Sequence, residues 1–157
     1  KAIEELEKNL QNKANFFIIG KDVDKQYYDY IYNLAENFRN ISVIGELSRE
    51  DMKEFAKKID VFVVTSKEET MSLVATEAMM QGKVCIVCKN AGIAFYIKDY
   101  INGLIYDTNN AKSLSQKLRY CILNSKTLLD MGECARKTYV QEFSLVKFQE
   151  RIEKIFK

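Results

Sequence analysis

Short apolar runs alternate with helical stretches through the first two-thirds of this chain, and that alternation limits the fold more than any other feature. The runs are "NFFIIG" (15–20), "ISVIG" (41–45), "DVFVVTS" (60–66), "VCIVC" (84–88) and "GLIYD" (103–107). The first reads as a strand buried on both faces, since it lacks the apolar–polar alternation of a half-wet strand. Between and after the runs the apolar period becomes helical. "KAIEELEKNL" is predicted as an amphipathic helix with Ala2, Ile3, Leu6 and Leu10 on one side. "DKQYYDYIYNLAENF" repeats Tyr27, Ile31, Leu34 and Phe38 at helical spacing, a packed face with wet hydroxyls rather than a stacking platform. "SREDMKEFAKKI" starts on a Ser48 cap with acids in its first turn, and "SLVATEAMMQG" stops at Gly82. Three more helices close the chain, the last with Leu145, Phe148, Ile152 and Ile155 on its apolar side. This order predicts a Rossmann-like, doubly wound parallel α/β sheet. We expect one domain over 1–157, with C-terminal helices from about 127.

Composition narrows function. The chain has 24 basic and 22 acidic residues, a net charge of +2 that does not suit a dedicated nucleic-acid binder. It has no histidine, which removes imidazole metal sites and Ser–His or Cys–His catalytic pairs. No apolar run approaches the roughly 18 residues of a membrane span. Cys85 and Cys88 form a C-x-x-C, but in mid-strand, where side chains three apart point to opposite faces. Buried thiols in a reducing cytoplasm are the expectation.

Parallel α/β folds bind ligands at the carboxyl ends of strands, beside helix N-termini. Here those places are Gly20-Lys21-Asp22, Gly45-Glu46-Leu47, Ser66 to Ser72, and Lys89 to Ile93. Ser72 is the expected start of a helix whose first N–H groups and dipole make an anion site. Two glutamates flank that start. Glu69 is either an ordinary loop charge or an acceptor for sugar hydroxyls. Glu77 lies about 7 Å along the axis from the helix start, with apolar Leu73, Val74 and Met80 as neighbours. Buried there, it would need donors such as the two hydroxyls of a ribose; otherwise it is an edge residue reaching solvent or a lysine. The pattern alone leaves both readings open.

These residues resemble a known family. "TSKEETMSLVATEAMMQGKVCIV", Thr65 to Val87, is similar to the E-x7-E motif of retaining glycosyltransferases with the GT-B fold, family four (glycosyl transferases group 1). "NAGIAFYIKDYINGLIYD" looks like that family's glycine-containing loop and following strand, and "RKTYVQEFSLVKFQERIEKIF" like its closing helices. The resemblance implies the nucleotide-sugar-binding half of such an enzyme, with a UDP-sugar donor. It implies that Glu77 bonds the ribose and that Glu69, the catalytic-site glutamate, contacts the donor sugar. Thr70, Met71, Ser72 and Leu73 would hold sugar and diphosphate through their backbone, and the base would rest near Gly45 and Leu47. No metal or other cofactor is expected, because protein donors meet the diphosphate charge. The acceptor, a saccharide or lipid-linked saccharide as in surface polysaccharide synthesis, would be held by another half of the enzyme. That half, the family's first strand and its basic pair are expected before Lys1. A cytoplasmic location follows, with peripheral membrane association through the acceptor half; Lys53, Lys57 and Lys58 otherwise read as a solvated face. Met71-Ser72 replaces the usual Phe-Gly, Val84 a usual proline, and Phe95 stands in the second loop. Two other classes fit the architecture less well. A nucleotide-sugar epimerase usually relies on histidine. A receiver-type, non-catalytic module needs an aspartate ending its central strand, whereas Asp60 begins one.

Overall fold

The computed structural model describes residues 1–6, 8–21, 24–66 and 69–156. Asp22, Lys67 and Glu68, which belong to the expected ligand-facing loops, lie outside the described residues. The chain divides into two compact units, one of Lys1 and Ile3–Lys58, the other of Ala2 and Ile59–Lys157.

The first unit runs α1 (Lys8–Gln11), β1 (Phe16–Ile19), α2 (Lys25–Ala35), β2 (Ile41–Gly45) and α3 (Arg49–Lys57). β1 and β2 are parallel, Phe16 opposite Ile41, with a register shift between Ile18 and Ile19. The caps are local chemistry. Asp24 accepts the Tyr27 N–H at 3.1 Å and so starts α2. Ser48 accepts the Asp51 N–H at 3.1 Å, the capping expected for α3.

Two expectations fail in this unit. The predicted helix over residues 1–10 is mostly turns, with Glu5 N–H bonded to Lys1 O and Leu6 N–H to Ile3 O; regular helix is confined to Lys8–Gln11. The reason is a competing donor. The Gln11 side-chain amide reaches back to the carbonyls of Ile3, Glu4 and Leu6, taking acceptors that a continuous helix would use itself. Leu6 and Leu10 are nonetheless buried, as the apolar face required. β1 is not buried on both faces: Phe17 and Ile18 are 41% and 39% exposed. Among the described residues β1 pairs with β2 alone, so it is an edge strand, and Phe17 meets Phe55 of α3 edge-on at 5.1 Å between ring centroids.

The second unit runs β3 (Val61–Val64), α4 (Leu73–Met80), β4 (Val84–Cys88), a 3-10 helix (Gly92–Tyr96), β5 (Leu104–Tyr106), α5 (Ala111–Leu123), α6 (Thr127–Glu142) and α7 (Leu145–Ile155). Its sheet is parallel in the order β3-β4-β5. Central β4 is buried at every residue, which accounts for an apolar run without polar interruption. Ala75, Ala78 and Met79 of α4 are buried, as are Met131 and Ala135 of α6, against which α4 packs. Burying each larger apolar side chain stabilises by about 1.5–3 kcal/mol. α4 ends at Gly82, whose φ of +69° suits a residue without a Cβ. α6 passes so close that a Cβ at Gly132 would stand 2.0 Å from the Gly82 carbonyl oxygen. The α7 side carrying Leu145, Phe148 and Ile155 is exposed.

Cys85 and Cys88 diverge as strand geometry demands. The Cys85 thiol meets the Ala75 carbonyl at 3.5 Å, and Cys88 meets the Thr108 hydroxyl at 3.0 Å. All four cysteines are free thiols. Among the described residues, no helix is long and apolar enough to cross a membrane.

The close helix crossing and the buried thiols each have a measurable consequence. Gly132→Ala should cost about 2 kcal/mol or more in urea denaturation, because backbone must move to admit the methyl. Gly20→Ala, where a Cβ meets nothing within 4 Å, should stay within about 0.5 kcal/mol; equal effects would refute the close crossing. Burial pushes the Cys85 and Cys121 thiols up from 9.0 to about 12. The native state therefore keeps protons that the unfolded chain releases. Their stabilisation is fully present below pH 9 and is lost as pH rises towards about 12. Alkylation followed by mass spectrometry at pH 8 should label Cys134, which is half-buried, well before Cys85 or Cys121.

Candidate functional site

The loop between β3 and α4 is built from both ends. At its start, the Tyr106 hydroxyl of β5 donates to the Val64 carbonyl at 3.3 Å, fixing where the chain leaves β3. Burial, then the nearby Cys88, raises the Tyr106 phenol above its ordinary value, so it remains a donor. At its end, Ser72 is 1% exposed and its hydroxyl accepts the Ala75 N–H at 3.3 Å. Thr76 N–H bonds the Ser72 carbonyl at 3.0 Å. Ser72 is thus the N-cap, as the sequence suggested. The N–H groups of Leu73 and Val74 fall in the first turn, where the helix offers them no acceptor. With the positive end of the helix dipole they favour an anion at that end of α4.

Glu69 immediately precedes the bend at Thr70 and is half-buried. Its carbonyl accepts the Gly92 N–H at 2.7 Å. Its carboxylate oxygen Oε2 is buried and has no hydrogen-bond partner among the described residues. A buried carboxylate oxygen without a donor is costly and uncommon in folded proteins.

Two readings were open for Glu77, burial on an apolar face with donors or an edge position reaching solvent. The structure leaves Glu77 exposed, and Leu73, Val74 and Met80 around it are 73%, 47% and 43% exposed. The helix is apolar nearly all round, so periodicity could not tell which side packs: Ala75, Ala78 and Met79 take the core. No desolvation penalty is charged to Glu77 within this chain. What remains is a carboxylate one helical turn beyond Leu73, on the helix whose first-turn amides have no acceptor within the helix.

Thr70 and Met71 join Glu69 to the Ser72 cap, so Glu69 to Leu73 form one continuous loop–helix junction, with Glu77 along the same helix. Gly45 and Leu47 belong to the first unit. Gly45 ends β2 at φ +81°, and Leu47 is half-buried just before the Ser48 cap. Gly92 lies in the expected ligand-facing stretch Lys89 to Ile93, but its contact with the Glu69–Thr70 segment was not foreseen. A Cβ there would stand 1.9 Å from the Thr70 carbonyl oxygen, so only glycine permits the approach. The 3-10 helix carrying Gly92 is held at its other end by Asn102, which is 3% exposed. Its amide donates to the Tyr96 carbonyl and the Thr138 hydroxyl, and its oxygen accepts the Lys98 N–H at 2.6 Å.

Comparison with known proteins fits this architecture. The family model for glycosyl transferases group 1 matches residues 1–138. An uncharacterised glycosyltransferase of Methanocaldococcus jannaschii is 29% identical over 144 residues, covering 90% of this chain and 40% of that protein. The UDP-Gal:alpha-D-GlcNAc-diphosphoundecaprenol alpha-1,3-galactosyltransferase of Escherichia coli is 28% identical over 152 residues, covering 96% and 38%. The chain thus spans about two-fifths of the length of these curated relatives. Among solved structures, Anabaena HepE in complex with UDP superposes with a TM-score of 0.84 at 18% identity, over 99% of this chain and 43% of that one. WaaG, a glycosyltransferase involved in lipopolysaccharide biosynthesis, gives 0.77 at 21% identity, over 98% and 41%. The structural matches establish the fold as an α/β half of such enzymes, and the family match extends over most of the sequence: the chain belongs to the glycosyl transferases group 1 family.

Proposed function

We propose that this chain is the donor-binding half of a retaining glycosyltransferase that uses a UDP-sugar. The observation that carries the reading is the buried Oε2 of Glu69, without a partner among the described residues, beside the first turn of α4. A sugar hydroxyl is a neutral donor of the kind that oxygen lacks. A diphosphate placed against the Leu73 and Val74 N–H groups would bring its attached sugar to the loop that carries Glu69. The exposed Glu77 carboxylate, a turn along the same helix, accepts the two hydroxyls of the ribose. Thr70, Met71 and Ser72 line the path between sugar and ribose. Fixed backbone donors stabilise the departing diphosphate, so the reading includes no metal.

The relatives support the choice of donor and acceptor. HepE has been solved with UDP and with UDP-glucose, and the Escherichia coli relative is named for a UDP-galactose donor and a diphosphoundecaprenol-linked acceptor. We place the reaction as hexose transfer to a saccharide or lipid-linked saccharide in surface polysaccharide synthesis, at the cytoplasmic face of the membrane. One domain over 1–157 acting as the donor half is part of the same reading.

Calorimetric titration of UDP into the whole protein that carries this chain tests it. Glu77→Ala should weaken UDP about tenfold or more, the loss expected for charged hydrogen bonds of roughly 1.5–3 kcal/mol. Equal UDP binding by parent and variant would remove Glu77 from the ribose site.

A further inference from the structure

The backbone of Gly92 is both bonded to the Glu69 segment and in contact with it at a distance that excludes a side chain. Its N–H donates to the Glu69 carbonyl at 2.7 Å, and a Cβ on it would stand 1.9 Å from the Thr70 carbonyl oxygen and 2.9 Å from the Thr70 carbonyl carbon. The flanking residues Ala91 and Ile93 are 3% and 0% exposed, so Gly92 is anchored on both sides. The far end of the same 3-10 helix is pinned by Asn102 to Tyr96 and Thr138, and the Tyr96 ring packs on Phe143 at 4.6 Å. The Glu69–Thr70 segment therefore leans on a short strut fixed to α6.

We infer that Gly92 is a positioning residue for the donor sugar: by bonding Glu69 and admitting Thr70 at backbone contact, it sets where the Glu69 carboxylate meets the sugar. This rests on the reading of Glu69 given above. Two parts of one donor then differ in their dependence on Gly92. Ribose and diphosphate engage α4 beyond the Ser72 cap, and α4 has its own packing on α6, so they depend on Gly92 less than the sugar met by Glu69 does. A methyl at 92 must push the Thr70 carbonyl away, since the neighbours of Gly92 are buried and cannot yield, and the carboxylate moves with it.

The test compares UDP with UDP-hexoses (UDP-glucose, UDP-galactose and their N-acetylated forms) in the whole protein, using the donor that binds most tightly. The measured quantity is the affinity gained from the sugar, the ratio of the UDP and UDP-sugar dissociation constants. Gly92→Ala should lower that ratio about tenfold, as should Glu69→Gln, with a much smaller change in UDP affinity. Gly92→Ala with an unaltered ratio, beside a Glu69→Gln that lowers it, overturns the role of Gly92 and leaves that of Glu69 standing. A Glu69→Gln with an unaltered ratio overturns the Glu69 assignment and this inference together. If Gly92→Ala does not fold, hydrogen exchange at the Gly92 amide of the unaltered protein decides. Slower exchange with UDP-sugar than with UDP supports the inference, and equal exchange overturns it.

Discussion

The burial of β4 is the constraint on which the second unit depends. Five consecutive side chains from Val84 to Cys88 are shielded from water, so helices must cover both faces of that strand and its hydrogen bonds must be taken by β3 and β5. α4 enters β4 through Gly82, and the 3-10 helix leaves it through Ala91 and Gly92. α4, which carries Glu77, and the 3-10 helix that props the Glu69 segment are thus the elements before and after this strand in sequence. A change that loosened β4 would loosen both, which is why the crossing of α6 over Gly82 matters to a site it does not touch.

Carboxylate placement follows from the same geometry. Glu69 lies where a loop is bonded into the protein, and one of its oxygens is enclosed without a donor among the described residues. Glu77 stands on the exposed side of a helix whose core side is filled by alanines and Met79. The same residue type therefore has two environments eight positions apart. The enclosed one suits a short, directional contact with a sugar hydroxyl; the open one suits a diol that arrives with a larger ligand.

Many of these elements were legible in the residues. Ser48 and Ser72 cap their helices, Gly82 ends one, and the runs at 41–45, 61–64, 84–88 and 104–106 are strands, because each depends on local chemistry or on burial that composition reveals. The first ten residues were not legible as they stand, since the Gln11 amide outcompetes helical bonding there. Nor was the exposure of Phe17 and Ile18, which depends on which strands share a sheet. The side of α4 that faces the core was hidden by a helix apolar all round. The contact of Gly92 with Thr70 joins segments over twenty residues apart in sequence. A loop glycine serves equally well in a turn or a cap, so nothing local marks it as the place where two backbones meet.

The first turn of α4 is the proposed seat of the donor diphosphate, and the rest of the donor's placement depends on it. Nitrogen-15 chemical shifts of the Leu73 and Val74 amides, followed while UDP is added to the whole protein, test this most directly. Both amides should shift with the same saturation curve as binding, because a phosphate becomes their acceptor. UDP binding that saturates while these two amides stay unchanged would contradict it.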